Sequence, residues 1–310
     1  MSSRLAAIDV GSNTVLLLVA ERRGGALVPL LERAEITRLG RGVDATGALA
    51  PEAIRETVAV LADFARAARG LGAGAIACVA TSAARDARNG ADFFSAARRE
   101  AGLEPVVISG DEEARLVYGA AHREFGAARP LAVLDVGGGS TEFIVGEGAA
   151  PRARVSLQVG AVRLTERHVR AAPLPAGDLT ALRAAAAAAL APVAALTPAP
   201  GALLVGVAGT VTTLATVARG LPRHDPRRVH GEVLARAELE AVVARLAALS
   251  VPARAALPGM EPKRADVIVA GGAVVLEAMR LSGFDRLTVS DRGVRWGLLH
   301  DAAPSPGRPG

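Results

Sequence analysis

Leu131-Ala-Val-Leu-Asp-Val-Gly-Gly-Gly-Ser-Thr-Glu-Phe-Ile-Val-Gly146 reads as a strand, a tight glycine turn and a second strand. The apolar run closes on Asp135, breaks into Gly137, Gly138 and Gly139, and resumes after Ser140, Thr141 and Glu142. Glycine lets backbone N–H groups come close to an anion, because no Cβ stands in the way. Asp135 and Glu142 flank the turn at hairpin spacing. Carboxylates beside a phosphate cradle make sense mainly with a hard cation such as Mg2+ between them.

The design occurs twice. Ile8-Asp-Val-Gly-Ser-Asn-Thr-Val-Leu-Leu-Leu-Val-Ala-Glu21 overlays Leu134 to Glu147 without a gap, sharing Asp, Val, Gly, a later Val and the final Glu. Two ordinary glycine hairpins are the bland explanation, but the paired Asp-Val-Gly openings make coincidence the poorer one. Two related halves follow, with two turns expected to grip one phosphate-bearing ligand from opposite sides.

Outward from these units, strands are expected at 4–10, 14–22 and from about 26 to 39, then a helix from Pro51 to Gly70 with apolar residues at helical spacing. A buried strand at 75–80 leads into a polar segment, 81–90, and a helix over 91–101. A short strand at 105–108 precedes a helix opening on Asp111, Glu112 and Glu113, where acids complement the helix dipole. Phe125 to Pro130 reads as a hinge. The second half expects strands at 131–136, 141–147 and 152–159, and a helix near 161–170. An alanine-rich helix over 178–196 is kinked at Pro192. A strand then runs into Gly209-Thr210, a strand-to-helix turn of the kind that binds phosphate. Helices at 236–248 and 263–282, a strand at 286–290 and a last helix complete it. The tail 303–310 is compositionally disordered. Helix and strand alternating after a strand-rich opening, twice, marks an α/β architecture of two similar domains, here 1–128 and 129–302 with the last helix free to pack back on the first. Sites in such folds lie at the carboxyl ends of strands, which points to Asp9, Thr81, Asp135 and Gly209.

Length allows two domains with ample core: 310 residues, 51% hydrophobic and 22% charged. The single cysteine, Cys78, lies in an apolar run and reads as a packed thiol, so neither a disulfide framework nor a cysteine metal site is expected. The five histidines are scattered without ligand spacing. Asp9 interrupts the first apolar run, so no signal peptide is read, and no stretch approaches a spanning helix. A cytoplasmic protein is expected, with no membrane partner. The net charge of +5 suits a polyanion, while six Phe, one Trp and one Tyr argue against a base-stacking platform, hence no nucleic acid.

Six stretches together resemble the exopolyphosphatase and guanosine pentaphosphate phosphohydrolase family. They are Ile8-Asp-Val-Gly-Ser-Asn-Thr14, Ala80-Thr-Ser-Ala-Ala-Arg-Asp-Ala-Arg-Asn89, Ile108-Ser-Gly-Asp-Glu-Glu-Ala-Arg-Leu-Val-Tyr118, Asp135-Val-Gly-Gly-Gly-Ser-Thr-Glu142, Gly206-Val-Ala-Gly-Thr210 and Ser290-Asp-Arg-Gly-Val-Arg-Trp-Gly-Leu-Leu299. They span nearly the whole chain in the family's order. The resemblance implies two ribonuclease-H-like domains of the actin, Hsp70 and sugar-kinase group with an interdomain cleft, in the short two-domain form. It implies hydrolysis of terminal phosphoanhydride bonds of polyphosphate, with guanosine pentaphosphate as a second candidate, assisted by Mg2+ or another hard divalent cation. It also allows a homodimer.

Carried over by position, Glu113 is the candidate general base. Asp135 and Glu142, with Asp9 as a weaker third, fit the metal-holding role. Ser12, Asn13, Thr14, Arg85, Gly137, Gly138, Gly139, Ser140, Gly209 and Thr210 fit phosphate binding. One departure stands out. Many members carry arginine two residues after the first loop, where this chain has Leu16. Arg38, Arg41 and Arg292 are candidate replacements. A non-catalytic polyphosphate or alarmone sensor, and an ATP-dependent phosphotransferase of the same fold, are the alternatives. Glu113 ahead of the second loop favours water as acceptor.

Overall fold

The computed structural model describes residues 4–175 and 177–302; the expected disordered tail, 303–310, lies outside the described residues. The chain divides into two compact units, one taking the chain to Ser109 and again from Val294, the other Gly110–Gly293.

The first unit is built on β1 (Arg4–Val10), β2 (Thr14–Arg23) and β3 (Ala26–Ile36), an antiparallel meander, with β4 (Ala75–Ala80) and β5 (Val106–Val107) added in parallel on the β1 side. The order is β3-β2-β1-β4-β5. Its helices are α1 (Val43–Thr46), α2 (Pro51–Gly70), α3 (Ser82–Asp86) and α4 (Gly90–Ala96), the last continuing as a π-helical turn over Ala97–Ala101. Pro51 sits at the start of α2, where a missing N–H costs nothing. From it Ile54, Val58, Leu61, Phe64, Ala65 and Ala68 form one buried stripe against the sheet.

The second unit opens with α5 (Gly110–Phe125) and repeats the meander as β6 (Leu131–Val136), β7 (Thr141–Gly146) and β8 (Ala153–Leu157). It continues through α6 (Ala161–His168), α7 (Asp178–Ala189), β9 (Leu203–Val207), α8 (Ala208–Ala218), α9 (Pro226–Val229), β10 (Val233–Ala235), α10 (Arg236–Ala247), α11 (Val251–Ala255), α12 (Ile268–Ser282) and β11 (Arg286–Val289). The sheet order is β10-β11-β9-β6-β7-β8, the first unit's order with one further edge strand. β6 and β7 are buried along their whole length. One face, with Ala132, Leu134, Val136, Phe143 and Val145, joins the core of α7, α8, α10 and α12. Because side chains alternate, Asp135 and Glu142 stand on the other face, the one α5 covers.

Several boundaries differ from the sequence expectation: the helix expected over 263–282 begins at Ile268 after a 3-10 turn over Pro262–Arg264, and the third strand ends at Ile36 rather than about Leu39. The segment 81–90 reads as a polar exit, yet Ser82–Asp86 is a helical turn. The alanine-rich helix stops at Ala189, and Pro192 falls in the first turn of a 3-10 helix, Ala191–Ala195, where it needs no partner for its missing N–H. The units meet in sequence at Ser109/Gly110, not at the hinge expected at 125–130: α5 packs on β6, β7 and β8, so it belongs with the strands that follow it. The last helix, α13 (Val294–Asp301), packs on β1 and β2 of the first unit.

Candidate active site

The two hairpin loops are closed by the same bond. Gly11 N–H donates to the Thr14 carbonyl at 3.0 Å, and Gly137 N–H donates to the Ser140 carbonyl at 3.1 Å. Asp135 lies directly opposite Glu142 across β6 and β7. At the matching place in the first unit Asp9 faces Leu16. Facing residues on adjacent antiparallel strands put their side chains on one face about 5 Å apart, so the second unit presents a carboxylate pair where the first presents a single acid.

Each loop has its carbonyls held from behind by the segment that follows its third strand. In the first unit Gly40 N–H donates to Ser12 O (2.7 Å), and Thr37 and Arg38 N–H both donate to Asn13 O (3.1 Å each). In the second, Ala161 N–H donates to Gly137 O, Val162 and Arg163 N–H to Gly138 O, and Arg163 Nε to Gly139 O, all at 2.9–3.2 Å. A trans peptide points its N–H away from its own C=O. With the three carbonyls turned back, the N–H groups of Gly138, Gly139 and Ser140 face the opposite way, where they could donate to an anion.

The turn back requires Gly160. A Cβ there would lie 2.6 Å from the carbonyl carbon and oxygen of Gly138, so the two backbones touch. Gly160→Ala is expected to destabilise the protein by about 1–3 kcal/mol, the usual cost of forcing atoms into a packed place, and to displace the loop; chemical denaturation measures the first effect. A denaturation midpoint equal to wild type would show that the loop tolerates the shift.

Glu113 is set apart from its neighbours by burial. On α5 Asp111 pairs with Arg154 at 3.1 Å and Glu112 takes both Nε and a terminal nitrogen of Arg115, which pulls its carboxyl below the usual range. Both face outward, whereas Glu113 is 8% exposed. Gly110 abuts the Ser156 hydroxyl, which itself donates to Glu142 Oε1 at 2.7 Å, and Tyr118 abuts Gly146. The helix therefore runs over the face carrying Glu142. Glu113, three residues and about 4.5 Å along the axis from Gly110, is the buried acid of that helix's first turn.

Asp9 is also buried, and its Oδ1 has no hydrogen-bond partner. Burial pushes its carboxyl up to about 7, opposed by the nearby Arg295 guanidinium. Arg295 arrives on α13, donates to the Leu17 carbonyl at 2.9 Å and pairs with Glu32 at 2.7 Å. The positive charge near Asp9 thus comes from the last helix, not from the strand that faces it. No pattern local to the first loop could have revealed it. Of the replacements expected from sequence, Arg38 contributes its backbone to the Asn13 brace, Arg41 is exposed, and Arg292 pairs with Glu124.

Several residues expected as phosphate ligands also make hydrogen bonds within the protein. Ser12 Oγ accepts the Ala83 N–H at 3.2 Å, which leaves the hydroxyl proton to donate. Arg85 donates to the Ile108 carbonyl at 2.9 Å and lies 3.8 Å from Asp86, so it ties α3 to the segment before α5. Thr210 Oγ1 donates to the Val136 carbonyl at 3.1 Å, pinning α8 to the end of β6. Gly209 is bare because the Arg264 guanidinium occupies the space of a Cβ and donates to its carbonyl and to Thr213 Oγ1. Sequence reasoning misses Arg264, since it lies 55 residues away on a 3-10 turn.

Among the described residues no three His, Cys, Asp or Glu side chains form a group that could hold a metal ion. The three expected metal carboxylates are therefore distributed as a pair, Asp135 and Glu142, and a single acid, Asp9. A pair of carboxylates suits a hard cation that keeps most of its water, and in the other unit the Asp9 oxygen without a hydrogen-bond partner could meet one. Cys78, 6% exposed with burial pushing its thiol up to about 12, is an inert core group.

The profile of the Ppx/GppA phosphatase family matches residues 18–306. Exopolyphosphatase 2 of Mycobacterium tuberculosis is 38% identical over 96% of this chain and 97% of its own length. A guanosine-5'-triphosphate,3'-diphosphate pyrophosphatase of Vibrio atlanticus is 32% identical over 96% of this chain and 58% of its own longer one. The crystal structure of the Aquifex aeolicus Ppx/GppA family member superposes with a TM-score of 0.81 at 32% identity, covering 97% of this chain and 98% of that one.

Proposed function

The chain belongs to the Ppx/GppA phosphatase family, and we propose that it is an exopolyphosphatase, removing orthophosphate from the end of inorganic polyphosphate. The name of the Vibrio relative supports guanosine pentaphosphate as a second substrate. The observation that carries this reading is the pair of identically closed Asp-Val-Gly loops, one of them with three amides turned to one side beside a carboxylate pair.

Transfer of a phosphoryl group to water needs an in-line nucleophile and donors for the equatorial oxygens. Glu113 takes a proton from water as the new P–O bond forms. The bridging P–O bond breaks, and the shortened chain leaves with the bridging oxygen. The amides of Gly138, Gly139 and Ser140 hold the terminal phosphoryl oxygens and meet the charge that develops there. In the first unit Asn13, Thr14 and the hydroxyl proton of Ser12 offer further donors. Asp135 and Glu142 would hold a divalent cation, which when bound supplies charge neutralisation to the phosphates; in the first unit Asp9 is the carboxylate suited to that role.

Incubation with polyphosphate and Mg2+ is expected to release orthophosphate, and a chelator in excess is expected to abolish the release, restored by added Mg2+. Release that is indifferent to the chelator would remove the cation from the mechanism. No release from polyphosphate or guanosine pentaphosphate would overturn the assignment.

Among the described residues no helix is long and apolar enough to cross a membrane.

A further inference from the structure

The two loops are braced by different chemistry at one position. Asn13 and Gly139 occupy equivalent places in the repeat. The Asn13 carbonyl accepts two backbone N–H groups, from Thr37 and Arg38, with Arg38 in the left-handed region (φ 54) to bring both amides round. That brace is made by backbone donors alone. The Gly139 carbonyl instead accepts from a side chain, Arg163 Nε, at 2.9 Å. The same guanidinium donates through a terminal nitrogen to Gln158 Oε1, also at 2.9 Å. One planar fork thus joins the first turn of α6, the residue just beyond β8 and the last glycine of the loop.

The peptide that Arg163 grips is the one whose other end is the Ser140 N–H. Rotating its carbonyl toward Arg163 turns the Ser140 amide away from Arg163, toward the side where Gly138 and Gly139 point theirs. The geometry points to Arg163 as a positioning residue for phosphoryl transfer: it touches no substrate, and it aims the third amide of the loop through the Gly139 carbonyl. This rests on the phosphohydrolase reading above and adds a specific role to it. The other two amides are fixed by backbone bonds from Ala161, Val162 and Arg163, so they persist when the side chain changes. Glycine at 139 makes the brace necessary, since a glycine peptide left ungripped samples both signs of φ about equally. Lysine cannot substitute fully, because a single ammonium lacks the in-plane fork that reaches Gly139 and Gln158 together.

The test compares Arg163→Ala and Arg163→Lys with wild type in steady-state polyphosphate hydrolysis. Arg163→Ala is expected to lower kcat by about 10- to 100-fold, less than the 10²–10³-fold seen when an oxyanion donor is deleted outright, with a much smaller change in KM. Arg163→Lys falls between. Arg163 is partly exposed, so guanidinium ion at millimolar concentration, far below denaturing levels, is expected to restore part of the Arg163→Ala rate where urea and sodium do not. A structural defect would not respond in that way. Equal kcat in wild type and Arg163→Ala overturns the role, as does a loss that guanidinium cannot rescue.

A second readout does not depend on turnover. Inorganic phosphate is expected to shift the Ser140 amide resonance of isotope-labelled wild type, and in Arg163→Ala that response is expected to vanish while the Gly138 response remains. An unchanged Ser140 response in Arg163→Ala overturns the proposal even if the wild type proves inactive on polyphosphate, an outcome that would instead sink the phosphohydrolase reading.

Discussion

Glu113→Gln is expected to lower orthophosphate release from polyphosphate by about 10²–10⁴-fold, the range for loss of a general base, with the melting temperature little changed. The expectation comes from the division of labour in the first turn of α5. Asp111 and Glu112 are engaged by Arg154 and Arg115 at the surface, and of the three acids Glu113 is the buried one, on the helix that packs over β6, β7 and β8. Glutamine keeps the shape and the helix while removing the ability to accept a proton. The control is Glu112→Gln, which breaks an exposed ion pair worth at most about 1 kcal/mol and should leave the rate near wild type. Equal rates for Glu113→Gln and wild type would exclude Glu113 as the base. A collapse in both variants would point to the helix terminus and not to proton transfer.

Asp9→Asn carries the second large effect, in which stability and activity are expected to move in opposite directions. Asp9 has its carboxyl raised from 3.8 to about 7 by burial. Between those values the folded protein holds a proton that the unfolded chain has already released. Stability that is fully present below about pH 4 is therefore lost as pH rises, and the loss is complete somewhat above pH 7. Each tenfold change in proton affinity between folded and unfolded chain is worth about 1.4 kcal/mol, which puts the upper bound at roughly 4 kcal/mol. Asparagine has no charge to bury, so metal-free Asp9→Asn is expected to melt above metal-free wild type at pH 8, with the gap closing by pH 4. Added Mg2+ is expected to stabilise wild type more than the variant, and hydrolysis by the variant to fall. Identical pH dependence of melting in the two proteins would show that Asp9 does not titrate as inferred.

The expected opposition has a physical origin. A carboxylate with a buried, unpartnered oxygen is costly to the folded protein, and Arg295 offsets only part of that cost. A bound cation would offset more of that cost. Leu16 sharpens the effect, because the facing strand position offers no charge of its own.

The glycine loops themselves were legible because they are local. A strand that ends on Asp and turns through glycine writes both its hairpin and its chemistry in one short run of residues, and the register of β1–β2 and β6–β7 follows the overlay of the two loops residue for residue. The carboxylates Asp135 and Glu142 fall opposite each other for the same reason, since a hairpin fixes its own pairing. The first turn of α5 was legible as three acids, but which of them turns inward depends on what lies beneath the helix.

What the sequence by itself determined is thus the α/β class, the doubled strand-turn-strand unit, the family, and the residue types available to each loop. Tertiary structure alone decided which groups hold the loops in shape and balance their charge. Arg163 reaches Gly139, Arg264 fills the space beside Gly209, and Arg295 returns from the last helix toward Asp9. Arg85 and Thr210, expected as phosphate ligands, turn to the carbonyls of Ile108 and Val136. The reason is common to all five. An arginine or threonine carries the same donors whether it meets a phosphate or a backbone carbonyl, and only the packing of distant segments settles which acceptor stands within about 3 Å.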